Sequence, residues 1–458
     1  MTESTFQAGS DPIAVDGGKI LASWPSDRGL AMFSWPGGGE AGPSHLFAAA
    51  PTFRTEFRGP SALDGLRSLI GETRRDTDST PSTESTRHHH HGPCGRGFIV
   101  VLAYDLFRGL EPTAVDSPGK STDSGWPEIV ALRCEGGLRC DGRSMVEVGD
   151  ASTIPSLEPR RLPRPDLGGV HPDWDRETYE RSVADVVERI RRGDCFQVNL
   201  SQRFTAPFRG SVRALGAAAL ASSRPRHGAV VECGDGRAVV SMSPELFLET
   251  RPSPDGTLVV SRPIKGTRPT SVDPEVLRTS EKDEAELAMI VDLMRNDLGR
   301  VCRIGSVRVV DPRRIETHET VHHGVAEVEG VLRRDVDIVD LLSASFPPGS
   351  ITGAPKVQAM RIIDELEVCR RGPYCGAIGW IGDDGWSSLN VAIRTIGCTG
   401  SRPAHEGVDV IDGTLEYFAG CGIVADSVPA DEYLESVDKT SVLHRTIATL
   451  GGDLPTGG

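Results

Sequence analysis

Between residues 175 and 204, the spacing of apolar residues changes from that of a helix to the alternation of a strand. This change strongly constrains how the segment can fold. Gln197, Asn199 and Ser201 fall on one face of residues 195–204, where apolar and polar side chains alternate as in a strand. Before that strand, apolar residues recur at helical spacing between an Asp175 N-cap and a Gly193 stop: Tyr179, Val183, Val186, Val187 and Ile190. The sequence therefore predicts a helix followed directly by a strand with one polar face.

A second helix signal begins at Ser280. Ser280 followed by Asp283 is typical of a capped helix start, and Gly299 is a natural end. The apolar stripe between them consists of Leu287, Ile290, Val291, Met294 and Leu298. Glu286 lies beside this stripe, so the pattern predicts a carboxylate at the border of the buried face.

The chain divides at a Pro- and Gly-rich stretch near residues 161–173. We expect an N-terminal region over residues 1–165 and a catalytic region over residues 170–452. Within the first region, residues 98–104 are typical of a buried strand. Residues 73–97 are polar and contain His88, His89, His90 and His91, which favours a solvated, disordered loop over a metal site.

The formal net charge of −15 argues against nucleic acid or an anionic membrane as a partner, since both favour clustered Lys and Arg. No stretch approaches the roughly 20 apolar residues that span a bilayer, and the N-terminus does not resemble a signal peptide. The 10 cysteines include no Cys-x-x-Cys pair. These features predict a cytoplasmic protein with reduced thiols.

Glu432 and Glu435 are three residues apart in a segment that Pro429 begins as a helix. Their carboxylates share one face, and Lys439 lies one turn further along it. Two such carboxylates suit a hard cation such as Mg²⁺. On spacing alone, a solvated acidic helix start, favoured by the helix dipole, is the more common explanation.

Several other segments could bind an anion. Residues 346–356 form a small-residue loop that leads into a helix, and Gly420-Cys421-Gly422 offers exposed backbone N–H groups. Plain turns explain either segment alone. Arg394 interrupts an apolar strand, where its guanidinium either pairs with an internal carboxylate or awaits a substrate carboxylate.

Lys265 lies between Pro263-Ile264 and Gly266-Thr267. A lone lysine of this kind is usually a surface residue. Desolvation or a neighbouring positive charge would lower the pKa of its amine from about 10.4 and make it a nucleophile.

Taken together, these segments resemble the chorismate-binding enzymes, which include anthranilate synthase component I, aminodeoxychorismate synthase component I and the isochorismate and salicylate synthases. The resemblance covers roughly residues 174–450. It rests on ordered matches at residues 195–203, 243–245, 263–268, 289–300, 349–356, 393–395 and 422–427. It implies an α+β fold like that of anthranilate synthase component I, with two packed antiparallel sheets and peripheral helices.

The resemblance also implies roles for particular residues. Glu286, Glu432 and Glu435 correspond to the family's Mg²⁺ site. Glu245 corresponds to a general acid for the C4 hydroxyl, and His323 to the active-site histidine. The residues that correspond to binders of chorismate are Arg394, Tyr374, Thr352, Lys439, Gln197 and the backbone of Gly420, Cys421 and Gly422. Cys421 and Pro348 are departures, since smaller residues are common at both positions.

Two positions distinguish the branches of the family. Gln197 stands where isochorismate and salicylate synthases carry a Lys base. Lys265 stands where anthranilate synthases usually carry Ala, and is typical of the aminodeoxychorismate synthases of the para-aminobenzoate and folate pathway. The resemblance thus implies amination of chorismate through a covalent Lys265 intermediate, with ammonia from a separate glutamine amidotransferase subunit. Anthranilate synthase component I is the alternative; a non-catalytic chorismate-binding regulatory subunit is the alternative from another class.

Overall fold

The computed structural model describes residues 17–36, 44–77, 92–115, 125–141, 144–318 and 321–451. Its helices are α1 Gly17–Ser23, α2 Ala62–Thr77, α3 Phe107–Leu110, α4 Arg176–Arg191, α5 Val212–Ser223, α6 Pro274–Arg278, α7 Glu281–Gly299, α8 Ile338–Ser345, α9 Lys356–Leu366, α10 Pro429–Asp438 and α11 Ser441–Thr449. Its strands are β1 Ala31–Pro36, β2 Ser44–Ala49, β3 Phe53–Phe57, β4 Gly97–Leu102, β5 Ile129–Cys134, β6 Gly136–Cys140, β7 Met145–Gly149, β8 Asp166–Leu167, β9 His171–Pro172, β10 Gln197–Ser211, β11 His227–Gly234, β12 Arg237–Ser243, β13 Leu246–Ser253, β14 Gly256–Arg262, β15 Ile264–Pro269, β16 Arg308–Thr317, β17 Val321–Val331, β18 Gly353–Ala354, β19 Ala377–Gly382, β20 Ser387–Val391, β21 Thr395–Ser401 and β22 Val410–Ile423.

The strands form two antiparallel sheets. Among the described residues, the first sheet has 12 strands in the order β18-β10-β22-β21-β12-β11-β1-β2-β6-β7, with β8 and β9 also paired to β10. The second has 10 strands in the order β15-β17-β14-β13-β20-β19-β4-β5-β3, with β16 paired to β17. The predicted α+β fold of two antiparallel sheets with helices outside them is confirmed.

An aromatic layer packs the two sheets against each other. Phe33 of β1 and Phe47 of β2 come from the first sheet, and Trp380 of β19 comes from the second. The Phe33 and Trp380 rings stack at a centroid distance of 6.2 Å, and Phe47 meets Trp380 edge-on at 5.0 Å. Two further apolar clusters include the outer helices, one with α4, α7, α8 and α9 and the other with α1, α5 and α11.

The capped helices form as the sequence predicts. The Asp175 side chain accepts a hydrogen bond from Thr178 N at 2.8 Å at the start of α4. The Ser280 hydroxyl accepts one from Asp283 N at 3.3 Å at the start of α7, which ends at Gly299. The strand predicted over residues 195–204 is longer in the structure, because β22 pairs with β10 as far as Ser211.

The first 165 residues contribute strands to both sheets: β1, β2, β6 and β7 extend the first, and β3, β4 and β5 extend the second. The domain boundary near residue 165 stays a prediction. Part of the predicted loop over residues 73–97 is helical, since α2 continues to Thr77. The run from His88 to His91 lies outside the described residues.

Within the described ranges, every helix is too short or too polar to cross a bilayer. All ten cysteines are free. The cytoplasmic location stays a prediction.

Candidate active site

The amine of Lys265 on β15 lies beside the first sheet. A Cβ atom added to Gly422 of β22 would lie 3.5 Å from Lys265 Nζ and 2.3 Å from Gln197 Nε2. The missing side chain of this glycine therefore lets the amine and the amide approach the same backbone. Gln197 is 1% exposed, and its Oε1 has no hydrogen-bond partner within the described part of the chain.

Lys265 is half-buried, and its amine forms no hydrogen bond or ion pair with any residue that the structure describes. Burial lowers its pKa, and the charge of Lys439 acts in the same direction. Glu286, Glu245 and Glu435 oppose this shift without cancelling it. A lowered pKa increases the neutral fraction of the amine, which is the nucleophilic form.

Glu245 lies between β12 and β13 and is 4% exposed. Burial raises its pKa to about 7, although a hydrogen bond from Ser350 and the charges of Lys265 and Arg394 favour the ionised form. A carboxyl group with this pKa holds a proton in about half of the molecules at pH 7. The arrangement can therefore supply a general acid close to the Lys265 amine.

Two glutamates of the first turns of α10 lie close together. The carboxylates of Glu432 and Glu435 and the thiol of Cys421 have ligand atoms within 4.8 Å of one another. The Ser427 hydroxyl donates a hydrogen bond to Glu432 Oε1 at 2.6 Å. The Cys421 thiol is directed at α10, where it donates to the backbone oxygen of Glu432 at 3.4 Å.

Glu286 of α7 is half-buried, and among the described residues its carboxylate has no hydrogen bond or ion pair. Burial raises its pKa, Lys265 lowers it, and the negative charge of Glu435 raises it further. A hard divalent cation takes oxygen ligands, and its charge would relieve the repulsion between partly buried carboxylates. Carboxylate oxygens are ligands of this kind, whereas the thiol of Cys421 is not. Glu286 lies outside the close group that Glu432, Glu435 and Cys421 form.

Lys439 is engaged by protein groups. Its Nζ donates to the backbone oxygen of Gly420 at 2.7 Å and pairs with Glu435 Oε1 at 2.8 Å. Burial acts to lower the pKa of Lys439, but Cys421 and Glu435 outweigh it and the pKa is raised. Lys439 therefore stays charged. A substrate carboxylate that binds the Lys439 ammonium has to share this cation with the Glu435 carboxylate.

Arg394 lies between β20 and β21 and has an unusual backbone conformation. Its φ is 50°, in the left-handed region. Burial lowers the pKa of its guanidinium, and the charge of Arg445 acts in the same direction. In the described part of the chain, the guanidinium has no hydrogen bond or ion pair. Such a group is available to an anionic ligand.

His323 of β17 is 2% exposed and faces β15. Its Nδ1 shares a 2.9 Å hydrogen bond with the Thr267 hydroxyl. Burial lowers the pKa of His323 to about 3, with further lowering from Arg394 and His318. The imidazole is therefore neutral at pH 7.

Tyr374 and Thr352 are both buried in the wall beside β10. Tyr374 Oη lies 3.2 Å from the Ser201 hydroxyl, and its ring stacks on Phe418 at 5.1 Å. The Thr352 hydroxyl donates to the Gly349 oxygen at 3.2 Å, within its own loop. The Thr352 backbone oxygen accepts from Asn199 N at 2.8 Å, which fixes this loop to β10.

A family model described as "chorismate binding enzyme" matches residues 59–445. The chain belongs to this family. The predicted resemblance is confirmed, and the match begins well before the region that the sequence motifs cover.

Two relatives resemble the chain over most of its length. "Aminodeoxychorismate synthase component 1" of Klebsiella aerogenes is 43% identical over 375 residues, which cover 78% of each chain. "Anthranilate synthase component 1" of Thermus thermophilus is 39% identical over 386 residues, 79% of each chain. The "Aminodeoxychorismate synthase component 1" of Escherichia coli strain K12 is 41% identical over 280 residues, 59% of this chain and 58% of that protein. Each relative is named as one component of its enzyme.

A solved structure of anthranilate synthase component I from Streptococcus pneumoniae matches with a TM-score of 0.69 and 25% identity, over 90% of this chain and 92% of that one. The Escherichia coli isochorismate synthase MenF matches with a TM-score of 0.69 at 17% identity, over 95% and 92% of the two chains, which bears on the fold alone. The predicted likeness to the fold of anthranilate synthase component I is confirmed.

Proposed function

We propose that the protein is the chorismate-aminating component of an aminodeoxychorismate synthase. The observation that carries this proposal is the Lys265 amine, which lies beside Gly422 and Gln197 and has a lowered pKa and no hydrogen-bonding partner among the residues that the structure describes. The Klebsiella aerogenes relative with this name supports it. A chorismate-binding chain without amination chemistry would not need a free amine together with a buried acid.

The proposed reaction has two steps that share one site. The neutral Lys265 amine forms a bond to C2 of chorismate, both ring double bonds shift, and the C4–O bond breaks. Glu245 gives its proton to the departing hydroxyl, which leaves as water, and its carboxylate then takes the extra proton from the Lys265 nitrogen. Ammonia then forms a bond to C4 and both double bonds shift back. The Lys265 nitrogen takes a proton back from Glu245 as its bond to C2 breaks, and the new nitrogen on C4 releases one. The net change exchanges ammonia for water and gives 4-amino-4-deoxychorismate.

The other site residues bind and orient the substrate in this proposal. The Arg394 guanidinium takes one carboxylate of chorismate, and the backbone of Gly420 and Gly422 lines the ring beside Tyr374. Glu286, Glu432 and Glu435 would hold a Mg²⁺ ion, which supplies positive charge for the ring carboxylate when it is bound. Neutral His323 donates or accepts a hydrogen bond through Nε2 without carrying a charge.

Ammonia comes from a glutamine amidotransferase subunit in this proposal. The component names of the relatives support a partner of some kind. The first step requires a neutral amine near C2, and the second requires access for ammonia at C4.

The product decides between this proposal and anthranilate synthase component I, which the Thermus thermophilus relative favours. The purified protein is incubated with chorismate, an ammonium salt and Mg²⁺, and the products are separated and identified by mass. We expect 4-amino-4-deoxychorismate, which an added lyase converts to para-aminobenzoate. Fluorescent anthranilate formed without a lyase would reject the assignment. The absence of any product would favour the non-catalytic subunit.

A further inference from the structure

A buried ion pair lies behind the walls of the candidate site. Glu367 follows the last residue of α9, and Arg371 lies in the loop after it. Their side chains are 6% and 1% exposed. Arg371 Nε donates to Glu367 Oε2 at 2.9 Å, and Arg371 Nη2 donates to Oε1 at 2.6 Å. This two-bond geometry fixes the position of both side chains.

The pair completes the hydrogen bonding along one edge of β10. β18 pairs with β10 only at Gln197 and Val198. Beyond that point, Arg371 Nη2 donates to the backbone oxygen of Asn199 at 2.6 Å, and Ser201 N donates to Glu367 Oε1 at 2.9 Å. Buried backbone groups without partners would destabilise the strand. The ion pair supplies the bonds that a longer β18 would make.

The ion pair contacts the Thr352 loop and the Tyr374 ring, and it is connected through β10 to the glycine backbone of β22. Arg371 Nη1 donates to the backbone oxygen of Ile351 at 3.2 Å, next to Thr352. The guanidinium lies 5.7 Å from the centre of the Tyr374 ring. The backbone groups of Asn199 and Ser201 that bond to the ion pair belong to β10, which pairs with β22. In that pairing Asn199 lies opposite Gly422 and Ser201 opposite Gly420.

We propose that Arg371 and Glu367 are positioning residues for chorismate binding. They hold the Thr352 loop, the Tyr374 ring and the glycine backbone of β22 in one geometry. Neither touches the reacting atoms in this inference, which rests on the proposed function. The sequence gives no sign of this role, because Arg371 follows Arg370 in what resembles an exposed basic turn.

A second buried pair provides a matched control. The Arg213 and Glu232 side chains are 0% and 8% exposed, and Arg213 makes two bonds to Glu232, at 2.6 and 3.0 Å. Arg213 also donates to backbone oxygens, those of Trp24, Pro25 and Arg28. The two pairs match in burial and geometry. The partners of Arg213 in the described ranges include no residue of the candidate site.

The test compares Arg371→Lys with Arg213→Lys in the full chain. Chorismate binding is measured by titration calorimetry in the presence of Mg²⁺, and stability by thermal unfolding. We expect both variants to unfold at lower temperature by similar amounts, because each loses the two-bond geometry. Arg371→Lys alone should weaken chorismate binding, by about 10-fold, and should raise KM more than it lowers kcat.

The outcomes separate the two proposals. If the wild type binds chorismate and Arg371→Lys binds it equally well, the positioning role is wrong. The same holds if Arg213→Lys weakens binding as much. A wild type that does not bind chorismate rejects the proposed function and this inference together. If Arg371→Lys does not fold, Glu367→Gln against Glu232→Gln is judged by the same criteria, since glutamine keeps an acceptor but loses the ion pair.

Discussion

Two half-buried lysines show how differently this fold treats an amine. The Lys356 amine at the start of α9 has three acceptors: Asp297 Oδ2 at 2.6 Å, the Ser345 oxygen at 2.9 Å and the Pro347 oxygen at 3.0 Å. The Lys265 amine has none among the described residues. Burial lowers the pKa of both lysines.

The carboxyl groups beside these lysines differ in the same way. Asp297 is bonded to Lys356, and the pair ties α7 to the start of α9. Glu245 interacts with Lys265 through charge alone, and its pKa is raised to about 7. A bonded pair uses both groups for structure, whereas separated groups can each keep or release a proton. Hydrogen bonding, not burial, therefore distinguishes the reactive lysine from the structural one.

Lys265→Ala should have the largest effect. We expect turnover with ammonia to fall by about 10⁴-fold, because a covalent step loses its nucleophile. The free energy of unfolding should change little, since the amine makes no hydrogen bond with the described residues. Turnover is measured by product separation and stability by denaturant unfolding. Wild-type turnover in Lys265→Ala would show that the amine takes no part in the reaction.

Glu245→Gln should have the next largest effect, about 10²- to 10³-fold on kcat, because the leaving hydroxyl loses its acid. The wild-type rate should fall as pH rises through about 7, where Glu245 loses its proton. The variant should lack this fall. A wild-type rate that is flat between pH 6 and 8 would contradict the role.

Stability gives an independent check on Glu245. Its pKa is raised from 4.5 to about 7 on folding, so the folded state holds its proton more tightly. Wild-type stability should therefore decrease as pH rises from about 4.5 to 7, by about 3 kcal/mol. Glu245→Gln should be more stable than the wild type at pH 8, and the difference should shrink towards pH 5. Unfolding midpoints at the two pH values measure this.

The sequence predicts local features of the molecule well. Caps and periodicity locate α4 and α7, and Pro429 with the spacing of Glu432 and Glu435 places two carboxylates on α10, because these features depend on neighbours in the chain. The family resemblance adds the two-sheet fold. Nothing local predicts that β10 extends to Ser211, since a distant strand determines its length.

The environment of each site residue is also beyond local prediction. Glu245 has a raised pKa because segments distant in sequence bury it, and Lys439 is engaged by Gly420 through a contact between α10 and β22. Lys356 appears in the sequence only as the end of a loop. Its three acceptors come from α7, α8 and the loop, so its structural role requires the folded chain.

Lys265→Ala is expected to lose turnover and keep its stability, and Lys356→Met should do the opposite. We expect a loss of about 3 kcal/mol of unfolding free energy, because Asp297 is left buried without its partner. At low temperature, turnover per folded molecule should fall only a few-fold. Lys19→Met on the exposed side of α1 is the control and should be neutral. If Lys356→Met abolished turnover while the protein remained stable, hydrogen bonding would not distinguish the structural lysine from the reactive one.

Gly422→Ala should have the smallest effect in free energy, about 1.4 kcal/mol, which is a 10-fold fall in kcat/KM. The new Cβ would lie 2.3 Å from Gln197 Nε2, so the amide has to move. At 3.5 Å from Lys265 Nζ, the methyl group only touches the amine. We therefore expect KM to rise more than kcat falls. Gly71→Ala in α2, where a Cβ meets no described atom within 4 Å, is the matched control. An unchanged KM in Gly422→Ala would mean that the substrate does not approach this glycine, and the free amine of Lys265 would need another explanation.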